Sequence, residues 1–201
     1  MSRTVGSSGE KTRAAIAEAG LQLIYEHGYE AMTLRQLART VGLQPGSLYN
    51  HIATKQELLF DLIHDHMTRL MKNVDAVLAG DVDPIDRLKA FVAFHLAYHI
   101  ERKREVFIGF AELRSLEREN RRVIVDLRRD YEDRLCDILN EGAKQGLFNI
   151  PDVRVTAYAI LAMLTGICTW FDPKGRVSQV ALIDLHTQLV LQGVLSDGAA
   201  A

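Results

Sequence analysis

The strongest fold signal in the chain is the stretch Thr33-Leu-Arg-Gln-Leu-Ala-Arg-Thr-Val-Gly-Leu-Gln-Pro-Gly-Ser-Leu-Tyr-Asn-His-Ile-Ala-Thr-Lys-Gln-Glu-Leu-Leu59. Thr33 is a favoured N-cap, and Gln36 stands where a capping box requires Glu or Gln. Apolar residues then recur on one face until Gly42, whose freedom to adopt a positive φ suits a helix C-terminus. We therefore predict a short helix that begins after Thr33 and ends at Gly42.

A second short helix is predicted directly after this turn. Pro45 suits its first turn, because an N–H at that position would have no intrahelical partner. Leu48 and Ile52 lie four residues apart and face inward. Thr54 and Glu57 form another capping box, which opens a third helix. Two short helices joined by a glycine turn are typical of helix-turn-helix DNA-binding domains.

The outward face of this pattern is polar and lacks acidic residues. No Asp or Glu occurs from Ala31 to Gln56, whereas Arg35, Arg39 and Lys55 do, although the formal net charge of the chain is −2. A basic patch confined to one small unit indicates DNA binding through that unit, and hydrogen-bonding side chains contact base edges and phosphates. We predict DNA contacts from Thr33, Arg35, Gln44, Pro45, Gly46, Ser47, Tyr49, Asn50, His51 and Lys55.

The rest of the chain also has helical patterns, so the predicted fold class is all-α. Residues 10–27 form an amphipathic pattern that Gly28 ends, and they complete a three-helix DNA-binding domain. Apolar residues keep helical spacing from Lys55 to about Ala79, and Asp83 with Pro84 opens the next helix. We predict a disordered tail over residues 1–9, the DNA-binding domain over 10–54, a helical C-terminal domain over 55–195 and a tail over 196–201.

The two C-terminal helical segments contain more apolar residues than a single buried stripe requires. Residues 157–171 are apolar almost throughout, yet the run is too short to span a membrane. Residues 177–195 repeat the excess. These segments predict a homodimer in which two helices from each subunit form a four-helix bundle across a twofold axis.

Several classes of protein and site are not supported by the sequence. Cys136 and Cys168 lie in apolar helical patterns, which favours reduced core cysteines in a cytoplasmic protein. His95 and His99 lie four residues apart without accompanying ligands at metal-binding spacing, so we predict no metal site. Neither a phosphate-binding glycine loop nor a nucleophile beside a base occurs, so we predict no catalytic residues and no cofactor. A signal peptide or membrane span is also missing from the pattern.

Residues 84–122 carry much of the aromatic content and a cluster of arginines. Aromatic side chains with a few polar tips are typical of a small-molecule pocket, but they are also typical of an ordinary core. The residues alone favour a core. The arginines at positions 114, 118, 121 and 122 have few acidic residues opposite them, and such a cluster is suited to a phosphate-bearing ligand.

The chain resembles the TetR family of bacterial transcriptional regulators. The resemblance lies in Leu34-Arg35-Gln36-Leu37-Ala38, Val41-Gly42-Leu43, Gly46-Ser47-Leu48-Tyr49-Asn50-His51-Ile52 and Lys55-Gln56-Glu57-Leu58-Leu59, and it covers about the first third of the chain. It implies a repressor, bound as a homodimer to near-palindromic double-stranded DNA and released by a small apolar effector. The family's effector pocket would correspond here to Phe91, Phe94, His95, Tyr98, Phe107, Phe110, Arg114, Tyr131 and Trp170.

A second resemblance concerns the class of effector. Trp170-Phe171-Asp172-Pro173-Lys174-Gly175 is similar to a Trp-Tyr-x-Pro-x-Gly turn in TetR-type repressors that respond to acyl-CoA thioesters. It implies that the effector is an acyl-CoA. Two other classes of protein, a helical dimeric adaptor and an enzyme without DNA binding, remain as alternatives. An adaptor would account for the apolar C-terminal helices but not for the polar, acid-free surface of residues 31–56.

Overall fold

The computed structural model describes residues 5–80 and 82–196. Within these ranges the chain forms α-helices, two short 3-10 turns and one isolated bridge between Phe148 and Leu195, without strands. The helices are α1 (Val5–His27), α2 (Leu34–Thr40), α3 (Pro45–Leu48), α4 (Lys55–Val77), α5 (Pro84–Glu101), α6 (Lys103–Ala111), α7 (Arg118–Lys144), α8 (Val153–Gly166) and α9 (Gln179–Val194). The 3-10 turns are Leu113–Ser115 and Ile167–Thr169. The predicted all-α class is confirmed.

The chain divides into two compact units. Unit 1 comprises residues 1–66 and 104–124, and unit 2 comprises residues 67–103 and 125–201. The predicted division at residue 54/55 follows a helix boundary, whereas the compact units divide within α4 and place residues 104–124 with the N-terminal helices. Contacts distant in sequence determine this grouping, so helix-boundary signals alone do not reveal it.

Unit 1 is organised around buried apolar residues of its short helices. Met32 and Leu37, the two ends of a hydrophobic staple, are both buried. Gly28 and Gly42 have φ of +80° and +68°, so both use the left-handed conformation that ends a helix. One expectation is corrected here: α1 begins at Val5, so residues 5–9 belong to a helix and not to a tail. Extending a stable helix costs little, which allows it to include Gly and Ser residues at its end. Residues 1–4 lie outside the described ranges.

Unit 2 contains all of α5, α8 and α9 and most of α7. Asp83 caps α5, because its carboxylate accepts hydrogen bonds from the Ile85 and Asp86 backbone amides at 2.9 and 3.2 Å. Helix α5 packs against α8 and α9. Ser196, the first residue of the predicted C-terminal tail, is bound through its backbone to the Leu147 carbonyl, and residues 197–201 lie outside the described ranges. Both cysteines are free: Cys136 is buried, as predicted, whereas Cys168, also predicted in the core, is half-buried.

Both α8 and α9 leave apolar side chains exposed in the single chain. Val155 and Tyr158 are exposed on α8, and Val180, Leu185 and Leu189 are exposed on α9. The excess of apolar residues predicted for this region is therefore exposed on the surface of the single chain. None of the helices in the described ranges has the length and the hydropathy to cross a membrane.

Candidate DNA-binding and effector sites

The first helix of the predicted DNA-binding motif is fixed by its cap. The Gln36 backbone amide donates to Thr33 Oγ1 at 3.2 Å, and Thr33 has extended backbone angles, as an N-cap requires. At the second predicted capping box, the Glu57 amide donates to Thr54 Oγ1 at 3.0 Å, and the Glu57 carboxylate accepts at 2.7 Å from the amide of Ala53, the residue before the cap. The two caps define where α2 and α4 begin and so frame the segment between them.

The recognition segment consists of α3 and the turn that follows it. Regular helix covers only Pro45–Leu48, and residues 49–51 continue as turns with amide bonds back to Ser47 and Leu48. Leu48 and Ile52 are buried, as their spacing predicted, with 0% and 5% of their surface exposed. Because these two residues anchor the inner face, the other side chains of the segment point outward.

Most of the predicted DNA-contacting residues lie together on the surface of unit 1. Tyr49 is 56% exposed. An alanine Cβ at Gly46 would meet no atom within 4 Å, so the protein itself leaves space there for a partner. Thr33, Arg35, Gln44, Pro45, Gly46, Ser47, Tyr49 and Asn50 are exposed, whereas His51 and Lys55 are half-buried. The surface has the side-chain chemistry for contacts to base edges and phosphates.

Lys55 differs from the other predicted contacts because its ammonium already has partners. Its Nζ donates to the Glu30 carbonyl at 3.2 Å and lies 4.2 Å from the centre of the Tyr29 ring. An ammonium has three donors, so two remain for a phosphate. The sequence predicted only a DNA contact for Lys55. The structure adds its contacts to Glu30 and Tyr29 within the chain.

The predicted effector residues of unit 2 include a buried aromatic cluster. His95 Nδ1 lies 3.0 Å from Tyr131 Oη, and His95 Nε2 lies 3.1 Å from Thr165 Oγ1. One nitrogen of a neutral imidazole donates and the other accepts, so both are satisfied. The Phe91 and Tyr131 rings lie 5.4 Å apart. Thr165 was not predicted, although a hydroxyl in the apolar run of α8 is a usable signal for such a contact.

Burial keeps the histidines of this cluster neutral. Desolvation lowers the pKa of His95 well below its ordinary value, and the neighbouring His99 lowers it further. Desolvation likewise lowers the pKa of His99 to about 4, against a hydrogen bond to the His95 carbonyl that raises it. The two rings stack with centroids 3.7 Å apart. The two stacked rings are therefore an uncharged part of the buried aromatic cluster.

The remaining predicted effector residues are distributed over both units. In unit 2, the Phe94 ring lies 5.4 Å from the Tyr98 ring, and Trp170 is exposed and stacks on His186 at 6.4 Å. Phe107, Phe110 and Arg114 belong to unit 1 and are exposed. Phe107 meets the Tyr25 ring edge-on at 5.2 Å. The structure therefore brings together Phe91, His95 and Tyr131, and it assigns three of the other predicted residues to unit 1.

A cleft of about 850 Å³ lies elsewhere in unit 2. Its wall includes Arg87, Asp137, Glu141 and Lys144. Charged side chains of both signs do not suit an apolar effector, because their desolvation is costly. The aromatic cluster remains the better candidate for an effector site.

Three hydrogen bonds between distant residues of unit 1 were missed by sequence reasoning. The Gln56 amide group donates to the Ser115 carbonyl at 2.6 Å and to Tyr29 Oη at 2.9 Å. Glu112 Oε1 accepts from the Tyr29 backbone amide at 3.0 Å. The bonds to Ser115 and Glu112 join residues that are 59 and 83 positions apart, and no local sequence pattern predicts such contacts.

Comparison with known proteins gives two family matches. Residues 16–62 match the model described as bacterial regulatory proteins of the tetR family, and residues 81–194 match the tetracyclin repressor-like C-terminal domain. The chain is 24% identical over 201 residues to the HTH-type transcriptional repressor KstR2 of Mycobacterium tuberculosis, covering 98% of this chain and 100% of that protein.

Solved structures agree with these matches. The TetR family regulator PfmR from Thermus thermophilus is 31% identical with a TM-score of 0.81, and the match covers 89% of this chain and 97% of that one. AibR, in complex with isovaleryl coenzyme A and operator DNA, is 27% identical with a TM-score of 0.82 over the same shares of the two chains.

Proposed function

Because the chain belongs to the TetR family of bacterial regulatory proteins and is a DNA-binding transcriptional regulator, we propose that it is a homodimeric repressor which a small effector releases from a near-palindromic operator. The proposed effector is an acyl-CoA thioester. The observation that carries the proposal is the likeness to AibR over 89% of this chain, since that structure contains isovaleryl coenzyme A and operator DNA together.

The surface formed by α2, α3 and the turn after α3 supports the operator-binding part. It presents exposed polar and aromatic side chains, among them Ser47, Tyr49 and Asn50, on a base of buried apolar residues. Such a segment fits a major groove, where side chains distinguish the base pairs. Two copies about 34–36 Å apart would contact successive major grooves on one side of the duplex.

The exposed apolar residues of α8 and α9 support the dimer. Val180 and Leu189 are 70% and 55% exposed in the single chain. Exposed apolar side chains at several positions of two helices indicate an interaction site. A twofold axis would place these helices against the same helices of a second subunit and so cover both faces.

The cluster of Phe91, His95 and Tyr131 supports an apolar effector with a polar group. Aromatic faces suit an acyl chain. A thioester carbonyl would accept a hydrogen bond from His95 in place of Tyr131 or Thr165, its partners in the single chain. The turn from Trp170 to Gly175 supports the same class by its resemblance. In the proposed mechanism the effector binds better to the conformation whose recognition segments do not match the operator, and this difference in affinity shifts the population away from DNA.

The proposal places the protein in the cytoplasm beside the chromosome and assigns it no catalysis. Its test measures the affinity of the full chain for a labelled fragment of its own upstream DNA, with and without isovaleryl coenzyme A and longer acyl-CoAs. We expect selective binding relative to a shuffled duplex at the same stated salt, and release by one or more thioesters.

Free coenzyme A and the free carboxylic acids are the matched controls for effector class. Neither should release the DNA at the concentration at which the thioester does. Release by the free acid alone would contradict the acyl-CoA assignment and leave operator binding intact. Equal affinity for the upstream and shuffled duplexes would contradict the assignment of the operator.

A further inference from the structure

The segment Glu112–Glu117 is fastened to the N-terminal helices within unit 1. Gln56 Nε2 donates to the Ser115 carbonyl, and the Glu117 amide donates to Gln56 Oε1 at 3.1 Å. Glu112 Oε1 accepts from the Tyr29 amide, and its Oε2 accepts from Ser115 Oγ at 2.8 Å. Three hydrogen bonds thus join this segment, which lies between α6 and α7, to Tyr29 and Gln56, and the bond between Ser115 and Glu112 braces it internally.

This attachment brings an arginine-bearing segment beside a predicted phosphate contact. Gln56 directly follows Lys55, and the residue before its partner Ser115 is Arg114. Tyr29 links the two sides, because its hydroxyl accepts from Gln56 while its ring lies under the Lys55 ammonium. The hydrogen bond between Gln56 and Ser115 therefore joins the chain neighbours of Lys55 and Arg114.

Three exposed arginines lie in this segment and at the start of α7. Arg114, Arg118 and Arg121 are exposed, and no ion pair or side-chain hydrogen bond involves them within the described ranges. Residues 113–122 contain four arginines and two glutamates, so the local charge is positive while the chain as a whole is slightly acidic. Arg118 and Arg121 lie in the first turn or just beyond it in α7, where a cation does not stabilise the helix.

We propose that Arg114, Arg118 and Arg121 bind the phosphate backbone of duplex DNA, outside the contacts that the helix-turn-helix makes. The proposal rests on the DNA binding described above and extends it to a segment far along the chain. A guanidinium matches phosphate oxygens with two parallel hydrogen bonds. Duplex DNA suits exposed arginines on an open surface, whereas a small phosphate ligand requires an enclosing pocket.

The test measures the salt dependence of binding to a mixed-sequence 30-base-pair duplex by fluorescence anisotropy. The variant combines Arg114→Gln, Arg118→Gln and Arg121→Gln, which remove no hydrogen bond of the fold. Each lost phosphate contact lowers the slope of log affinity against log salt by about 0.9. One lost contact in each of two subunits therefore lowers the slope by about 1.8. Between 50 and 200 mM salt, the affinity of the wild type should then decrease by a factor about tenfold larger than that of the variant.

The matched control removes the same charge from unit 2 through Arg69→Gln, Lys72→Gln and Arg176→Gln, all exposed positions. We expect its slope to equal that of the wild type within error. An unchanged slope in the Arg114 variant, or an equal decrease in the control, would overturn the inference. Lys55→Gln separates the two proposals: a lowered affinity there with no effect of the arginines overturns only this inference, whereas a wild type that binds no duplex overturns both.

A second experiment tests whether the arginines bind the phosphates of coenzyme A and not those of DNA. Thermal shift with isovaleryl coenzyme A is measured on the wild type and the arginine variant. An equal shift in both proteins agrees with a DNA contact. Loss of the shift together with an unchanged DNA slope would assign the arginines to the coenzyme and overturn the inference.

Discussion

The helix-turn-helix of unit 1 and the long helices of unit 2 distribute polar and apolar side chains in different ways. Helices α2 and α3 and the turn after α3 follow the ordinary partition, with Leu37 and Leu48 inside and Tyr49 and Asn50 outside. Unit 2 departs from it in both directions, because Leu185 is exposed while His95 is buried. The exposed apolar surface requires a second molecule to cover it, whereas the buried histidine is satisfied within the chain. In unit 2, the exposed apolar side chains are therefore evidence of a subunit interface, whereas the buried histidine is evidence of a hydrogen-bond network within the chain.

The largest expected effect comes from charging the exposed apolar face. Leu185→Asp with Leu189→Asp should abolish the proposed dimer, because an unpaired carboxylate in a buried interface costs about 3–5 kcal/mol. The twofold axis doubles each change. Operator affinity should fall at least about 100-fold. Sedimentation and anisotropy measure the two effects on the same sample.

The control for this change is Val77→Asp at the end of α4, which is also an exposed apolar residue. It should leave both dimer and affinity unchanged. A double variant that remains dimeric at micromolar concentration would show that another surface joins the subunits.

The buried histidines should make the stability of unit 2 depend on pH. His99 has a pKa of about 4 in the folded chain, below its ordinary 6.5. The unfolded chain therefore takes up this proton first, so stability is complete above pH 6.5 and decreases as the pH falls towards 4. The slope is up to about 1.4 kcal/mol per pH unit for one histidine.

Urea unfolding between pH 7.5 and 4.5 measures this slope. His99→Phe should reduce it and leave the contribution of His95, whereas His27→Gln, a change at an exposed position in unit 1, should leave it unchanged. If His99→Phe has the same pH profile as the wild type, the slope arises from other groups, and the neutral state of the buried ring does not control stability.

The outward side chains of unit 1 should affect selectivity more than stability. Tyr49→Ala and Asn50→Ala each remove a predicted base contact, and a good base contact contributes about 1–3 kcal/mol of discrimination. The affinity for a shuffled duplex should change little, because phosphate contacts remain. Competition between operator and shuffled duplexes measures the difference.

Asn73→Ala, an exposed position in unit 2, is the control for the recognition residues. If Tyr49→Ala weakens both duplexes equally, Tyr49 contacts the backbone and not a base. The outcome therefore assigns the kind of contact that the exposed ring makes.

Local signals predicted the starts of α2, α3 and α4 well, whereas α1 begins at Val5 and not at residue 10 as predicted. Thr33, Gly42, Pro45 and Thr54 mark α2, α3 and α4 where the structure has them. Caps and turns depend on a few neighbouring residues, so the sequence contains this information directly. The predicted DNA-contacting residues follow from the same boundaries, because burial of Leu48 and Ile52 leaves the other side chains of the segment outward.

Contacts between distant segments were not predictable in the same way. Gln56 stands in a helix start that the sequence identified, yet its partners Ser115 and Tyr29 lie far along the chain. The same holds for His95 with Thr165, which the sequence placed in separate helices. A hydrogen bond between helices depends on their packing, and a single sequence carries no direct signal for it.

The smallest expected effect compares one hydroxyl in each unit. Tyr131→Phe leaves a nitrogen of the fully buried His95 without a partner, which costs about 1–3 kcal/mol. Tyr29→Phe removes one bond of Gln56, which keeps the Ser115 carbonyl, so the cost should be about 0.5–1.5 kcal/mol. A change of about 1 kcal/mol shifts the Tm of a chain of this size by about 2–4 °C, so calorimetry resolves the two. If Tyr29→Phe costs more than Tyr131→Phe, the hydrogen bonds that fasten segment 112–117 contribute more than the buried network of unit 2, and stability depends chiefly on unit 1.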